Sequence, residues 1–155
     1  MLSEPPLTGP DGSLQLHATT VVLNDAAVVI TGPAGAGKTA MAFALMARGA
    51  MLLADDITWL MLDGTAVVAH CPPTLAGRIE ARGIGILNAP AAPPTPVRLV
   101  VDLGRTEDDR IPEPRTVRLL GHNIPLLHTP AIPHFAEAIY HYMTFGRHQD
   151  TARQT

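Results

Sequence analysis

The sequence contains only one cysteine, Cys71, so an internal disulfide is excluded and the reducing cytoplasm suits the chain. The net charge of -3 combines residues of both signs, whereas a nucleic-acid-binding protein carries a one-sided basic surface. No stretch approaches the ~18 apolar residues of a membrane-spanning helix, and the first residues lack the basic and apolar regions of a secretory signal. We therefore expect a cytoplasmic protein that binds neither nucleic acid nor a membrane.

Aromatic residues are scarce at 4%, yet 46% of the residues are hydrophobic, which is sufficient for a core built from small aliphatic side chains. A chain of 155 residues corresponds to one domain. Residues 1–12 are rich in proline and glycine and predict a flexible arm. Residues 13–146 form the predicted domain, and residues 147–155 a frayed polar tail.

Apolar periodicity predicts a mixture of strands and helices. We expect a hairpin of strands 14–23 and 26–31, a helix at 38–48, a buried strand at 50–56 and a hairpin turning at Asp63 and Gly64. A short helix at 75–81, a strand at 97–104, a mobile loop at 105–115, two strands within 116–130 and a helix at 133–145 follow. Because the second hairpin replaces a crossover helix, the predicted fold class is α/β, with a P-loop-containing mixed β-sheet and flanking helices.

The segment ITGPAGAGKTA, residues 30–40, contains the motif G-x-x-x-x-G-K-[ST] between an apolar strand and a helix, which is the context that a phosphate-binding loop requires. Glycine allows backbone N–H groups to close around phosphate oxygens, and the helix start adds the positive end of its dipole. Lys38 would neutralise the β- and γ-phosphates of ATP, and the Thr39 hydroxyl would bind Mg²⁺. The predicted nucleotide-binding residues are Gly32, Pro33, Ala34, Gly35, Ala36, Gly37, Lys38 and Thr39.

Asp55 and Asp56 end the buried strand, at the edge where ligands gather in open α/β sheets. Adjacent residues of an extended strand point to opposite sides, so we expect one acid to organise Mg²⁺ or its water and the other to take a proton from a nucleophile. Acids also terminate strands without any function, and a lone strand histidine such as His17 is commonly a hydrogen-bonded structural residue. The residue pattern alone leaves both alternatives open.

Three segments together resemble a known family: HATTVVLNDAAVVITGPAGAGKTA at 17–40, LLADD at 52–56 and PPTLAGRIEARGIGILNA at 72–89. They are similar to the catalytic domain of HPr kinase/phosphorylase, the bacterial regulator that phosphorylates a serine of the phosphocarrier protein HPr. The piece IEARGIGILN resembles the signature segment of that family. The resemblance covers residues 17–145. The sequence lacks the separate N-terminal domain of the longer family members, and in this it resembles the truncated form found in some proteobacteria.

The resemblance implies roles for individual residues. His17 matches the active-site histidine, Lys38 the phosphate-loop lysine, and Asp56 the aspartate that acts as base in phosphorylation. Thr39 and Glu80 match Mg²⁺ ligands, to which the strand-end position adds Asp55. Arg82 lies in the signature and Arg110 matches an arginine of a flexible loop. The family further implies ATP and Mg²⁺ as cofactors, an HPr-type phosphocarrier as substrate, a role in the phosphotransferase system, and a homo-hexamer.

The chain departs from the family at Ala40, where glutamate is common, and at Asn88, where the signature usually ends in aspartate. The segment IPLLHTPAIPH, residues 124–134, contains no arginine, although the family carries a basic turn there that is linked to its dephosphorylating activity. We therefore expect the kinase direction. Two alternatives remain open: a small-molecule P-loop kinase, and a non-catalytic ATP-binding regulator.

Overall fold

The computed structural model describes residues 1–148 and gives this part of the chain eleven strands and two α-helices. Nine strands form one mixed sheet, and β7 and β8 form a separate two-stranded sheet. The bounds are β1 Leu7–Thr8, β2 Leu14–Leu23, β3 Ala26–Thr31, α1 Lys38–Met46, β4 Met51–Ala54, β5 Ile57–Asp63, β6 Ala66–His70, β7 Arg78–Ala81, β8 Gly85–Asn88, β9 Thr95–Glu107, β10 Arg115–Leu119, β11 His122–Pro130 and α2 Phe135–Phe145. The predicted mixed sheet with flanking helices is confirmed.

Strand β2 organises the sheet because its two halves have different neighbours. Its first half pairs antiparallel with β1 and β5, and its second half pairs antiparallel with β3 and β4. Ala18 lies opposite Thr31, the last residue of β3, and Thr20 lies opposite Ala54, the last residue of β4. The carboxyl ends of β3 and β4 therefore meet beside the middle of β2.

Strand β9 is the buried centre of the parallel part of the sheet. It pairs parallel with β3 on one side and with β11 on the other. Leu99, Val100 and Val101 are fully buried, as expected for a parallel strand covered on both faces. Asp102 pairs with Thr31, the last residue before the loop that joins β3 to α1.

Both helices pack on one face of the sheet. Alternation along β3 sends Val28 and Ile30 to this face, where they meet Leu45 of α1 and Ile139 of α2. Val29 points the other way, into a second core with residues of β2, β4, β5, β6, β10 and β11. The longest helix within residues 1–148 has 11 residues, too few to cross a membrane.

The predicted helix at 75–81 is wrong. A single 3-10 turn, Pro73–Leu75, precedes strand β7, which pairs with β8. Ile79 and Ala81 are buried while Arg78 and Glu80 are exposed, which is the period of two of a strand. Gly83, with a φ of 87°, turns the chain into the partner strand.

The predicted loop at 105–115 is also too long, because β9 continues through Glu107 and β10 begins at Arg115. Arg115 donates from Nε and from its terminal nitrogen to the two carboxylate oxygens of Glu107, at 2.9 and 3.1 Å. This bidentate pair closes the base of a loop that spans residues 108–114.

Part of the segment 1–12 contacts the domain, while the flexible arm remains a prediction. Leu2 is 3% exposed, and the backbone N–H of Ser3 donates to the buried Asp102 carboxylate at 2.7 Å. The Ser3 hydroxyl donates to the same carboxylate, and Leu7–Thr8 pairs with β2. The boundary at residue 13 remains a prediction, and residues 149–155 of the predicted tail lie outside the described residues.

Replacing Leu45 by alanine should lower the free energy of unfolding by about 2–5 kcal/mol, because a cavity would open between α1 and the sheet. Ile111→Ala is the control, since Ile111 is 68% exposed and the substitution should cost less than about 0.5 kcal/mol. Urea denaturation measures both values. Equal destabilisation by the two variants would contradict this packing.

The Glu107–Arg115 ion pair should make the stability of the fold depend on pH. Hydrogen bonds from Arg115 hold the pKa of Glu107 below its ordinary value. A folded-state pKa below the unfolded one stabilises the fold fully above the unfolded pKa, and this contribution is lost as the pH falls through the folded pKa. Glu107→Gln should therefore lower the Tm at pH 7, and the Tm difference from the wild type should close below about pH 4. A gap that stays constant between pH 7 and pH 3 would refute the assignment, and Glu137→Gln, in a more exposed ion pair, is the control.

Candidate active site

The loop between β3 and α1 binds the side chain of Lys38 through backbone carbonyl oxygens. Gly35 and Gly37 have φ values of 83° and 104°, which side-chain-bearing residues rarely adopt. Lys38 is 8% exposed, and its Nζ donates to the carbonyl oxygens of Gly32 at 2.7 Å and Pro33 at 3.0 Å. The ammonium group is therefore fixed across the loop, at the start of α1.

The predicted strand at 50–56 is too long, because β4 ends at Ala54 and Asp55 and Asp56 lie in the bend that follows it. The two acids face different partners. Asp56 has a φ of 70°, and its Oδ1 lies 2.7 Å from Nε2 of His17. Asp55 accepts a hydrogen bond from the Thr19 hydroxyl at 3.0 Å and another from the backbone N–H of Glu80 at 3.0 Å. The Asp56 side chain remains 65% exposed, so it is accessible from solvent.

Thr19 is a site residue that the sequence analysis missed. Its hydroxyl donates to Asp55 and accepts a hydrogen bond from the backbone N–H of Asp56 at 3.2 Å. The residue is 1% exposed. A threonine at a buried position of a strand is the signal that could have revealed it, because a buried hydroxyl needs a partner.

Glu4 is the second residue that was missed. Its Oε1 lies 3.6 Å from Nδ1 of His17, so carboxylates face both nitrogens of the ring. The segment that carries Glu4 was expected to be loose, and its sequence gives no sign of this contact.

A cleft of about 630 Å³ gathers most of the predicted site residues. An adjoining cleft of about 460 Å³ adds Asp55 and shares Lys38, Thr39, Asp56 and Glu80 with the first. Gly32, Pro33 and Ala36 belong to the loop but are not among the residues that line the first cleft. That cleft is lined by the predicted residues His17, Ala34, Gly35, Gly37, Lys38, Thr39, Asp56, Glu80 and Arg82, together with Ala40, Phe43, Ala81 and Ile84.

The oxygen donors of the second cleft fit Mg²⁺. Thr39 brings a hydroxyl, and Asp55 and Glu80 bring carboxylates, which are the hard ligands that this ion takes. Within residues 1–148, no group of three or more His, Cys, Asp or Glu side chains is arranged to hold a metal ion by itself. Such a site suits an ion that binds through one or two carboxylates together with water and substrate phosphate.

Arg110 stands apart from these residues. It is exposed in the loop 108–114 and does not line the first cleft. Cys71 is not activated either, because burial and the charge of Asp55 raise the pKa of its thiol.

Comparison with known proteins identifies relatives. The model of the HPr Serine kinase C-terminal domain matches residues 12–130. The HPr kinase/phosphorylase of Aromatoleum aromaticum is 36% identical over 128 residues, which cover 74% of this chain and 40% of that protein. The HPr kinase/phosphorylase of Polaromonas naphthalenivorans is 36% identical over 120 residues, which cover 68% of this chain and 38% of that protein.

A solved structure also matches. The Hpr(Ser) kinase/phosphatase from Coxiella burnetii superposes with a TM-score of 0.74 at 26% sequence identity, covering 90% of this chain and 94% of that one. The present chain spans about two fifths of the length of the curated relatives named above. The family match extends over well more than half of the sequence. The chain therefore belongs to the HPr serine kinase C-terminal domain family.

Proposed function

We propose that the protein is an ATP- and Mg²⁺-dependent kinase that phosphorylates a serine of an HPr-type phosphocarrier protein. The observation that carries the proposal is the 2.7 Å contact between Asp56 and His17 on the wall of the cleft that also contains Lys38 and Thr39. A carboxylate poised beside a phosphate-binding loop is the arrangement that phosphoryl transfer to a hydroxyl requires.

Asp56 acts as the general base in this proposal. A serine hydroxyl is a poor nucleophile near neutral pH, so a group within hydrogen-bond reach must accept its proton. The serine oxygen forms a bond to the γ-phosphorus of ATP, the bond from that phosphorus to the β–γ bridging oxygen breaks, and ADP leaves. The proton passes to the Asp56 carboxylate, which His17 holds in position.

The remaining residues hold the phosphates. The backbone N–H groups of Ala34 to Thr39 would bind the phosphate oxygens of ATP, and Lys38 would neutralise their charge. Thr39, Glu80 and Asp55 would hold Mg²⁺, which supplies charge neutralisation on the β- and γ-phosphates when it is bound.

Arg82 and Arg110 stabilise the negative charge that spreads over the transferred phosphoryl group. Arg82 already lies in the cleft. Arg110 does not line this cleft, so its assignment rests on the family resemblance.

We propose the kinase direction, a cytoplasmic location and regulation of the phosphotransferase system. The lack of arginine in residues 124–134 supports the kinase direction.

We also propose a homo-hexamer, which sedimentation equilibrium of the full chain would test directly. The antiparallel β5–β6 hairpin takes the place of a crossover helix, which argues against the lid of a small-molecule kinase.

Asp56→Asn should reduce transfer of labelled phosphate from ATP to HPr by at least about 100-fold, because the amide cannot accept the serine proton. ATP should still bind, since the phosphate loop is unchanged, and Asp63→Asn at the exposed hairpin should behave as wild type. Label on a sugar would favour the small-molecule kinase. ATP binding without any turnover by the wild type would favour the regulator, and full activity of Asp56→Asn would refute the assigned base.

Thr19→Val should lower kcat by about tenfold or more and weaken the apparent Mg²⁺ affinity, because both aspartates lose the hydrogen bond that positions them. Thr20→Val is a matched control: Thr20 is buried on the same strand but shares its hydroxyl hydrogen bond with Thr58 at 2.8 Å. Steady-state assays across a Mg²⁺ titration distinguish the two. Equal kcat values for both variants would show that Thr19 does not position the site.

A further inference from the structure

A third cleft lies on the other side of the Asp56–His17 pair. It has a volume of about 480 Å³, and Asp56 and His17 line it together with Glu4, Pro5, Leu7 and Ile57. None of the phosphate-loop residues 32–39 lines this cleft, in contrast to the first two. A ligand here would contact the proposed base without competing with the nucleotide or with Mg²⁺.

The wall of this cleft is built by the N-terminal segment. Leu2 is buried and both the N–H and the hydroxyl of Ser3 donate to Asp102, which is fully buried within β9. These anchors fix the course of the next residues, including Glu4 and Pro5. The cleft is therefore a defined feature of the fold.

The surface of this cleft combines exposed apolar groups with acidic ones. Leu7 is 64% exposed, a large fraction for a leucine in a strand. Within the described sheet, β1 is an edge strand and pairs on one side only, with β2. Glu4 and Asp56, whose carboxylates face the two ring nitrogens of His17, also line the cleft. An extended protein segment that is neutral or basic, with an apolar side chain for Leu7, has the complementary chemistry.

We propose that this cleft binds the serine-bearing segment of the acceptor protein, with Leu7 as an apolar contact and the hydroxyl directed at Asp56. The inference rests on the proposed kinase function and adds the entry side of its protein substrate. Phosphoryl transfer requires the attacking and leaving oxygens to lie roughly in line. An acceptor that enters from the third cleft meets the γ-phosphate from the side of Asp56, while ADP departs within the first cleft.

Steady-state phosphorylation of purified HPr by Leu7→Asp tests this inference. The KM for HPr should rise by about tenfold or more, because a carboxylate replaces the apolar contact in an already acidic cleft. The kcat and the KM for ATP should stay within about twofold of wild type. Leu62→Asp is the matched control, since Leu62 is also an exposed strand leucine, at 52%, and does not line this cleft.

Hydrogen exchange of the wild-type chain gives a measurement that does not depend on a variant. HPr should slow exchange of the backbone amides of Leu7, Thr8 and residues 14–17, and ATP with Mg²⁺ should instead slow exchange in residues 34–39. Protection by HPr confined to other segments, or an unchanged KM in Leu7→Asp, would overturn the inference while leaving the kinase proposal intact. No transfer to HPr by the wild type would overturn both.

Discussion

The contact between Asp56 and His17 is the interaction on which the site depends. It joins the turn after β4 to the middle of β2, across 39 positions of sequence. The register of β2 makes it possible, because the same strand pairs with the last residues of β3 and of β4. The left-handed backbone of Asp56, with a φ of 70°, then turns its carboxylate toward the ring. Sheet pairing thus brings the Asp56 carboxylate into the same cleft as the glycine-rich loop, although the two segments are separate in the sequence.

Strand β2 also separates the roles of the two acids. His17 and Thr19 are two residues apart, so they lie on the same face of the strand. His17 contacts Asp56, whereas the Thr19 hydroxyl binds Asp55 and the backbone of Asp56. Asp55 in turn accepts from the backbone of Glu80 and ties the signature hairpin β7–β8 to the site. One strand face therefore positions both the proposed base and the proposed metal ligands.

Much of this fold can be predicted from the sequence because the residue types at its turns indicate where the chain reverses direction. Asn24 and Asp25 adopt φ values of 52° and 60°, and Gly64 follows Asp63 at the second hairpin, so residues that tolerate left-handed backbone mark both turns. The conformation of the segment RIEA in β7 was predicted wrongly, because four residues are too few to distinguish a helix from a strand by periodicity. Its partner strand decides the conformation. Ser3 binds Asp102 at a separation of 99 residues, and no local pattern reveals such a contact. The partner of Thr19 could likewise not be predicted from the sequence, since Asp55 lies 36 residues away, and Glu4 has no local signal for its contact with His17.

The central claim is that folding places the Asp56 carboxylate where it can deprotonate a hydroxyl that attacks the terminal phosphate of the nucleotide. A crystal structure of the chain with Mg²⁺ and a non-hydrolysable ATP analogue tests this claim most directly. The account predicts a carboxylate oxygen of Asp56 within about 6 Å of the γ-phosphorus, which leaves room for one hydroxyl between them. A separation beyond about 10 Å, with the analogue bound at the phosphate loop, would contradict it.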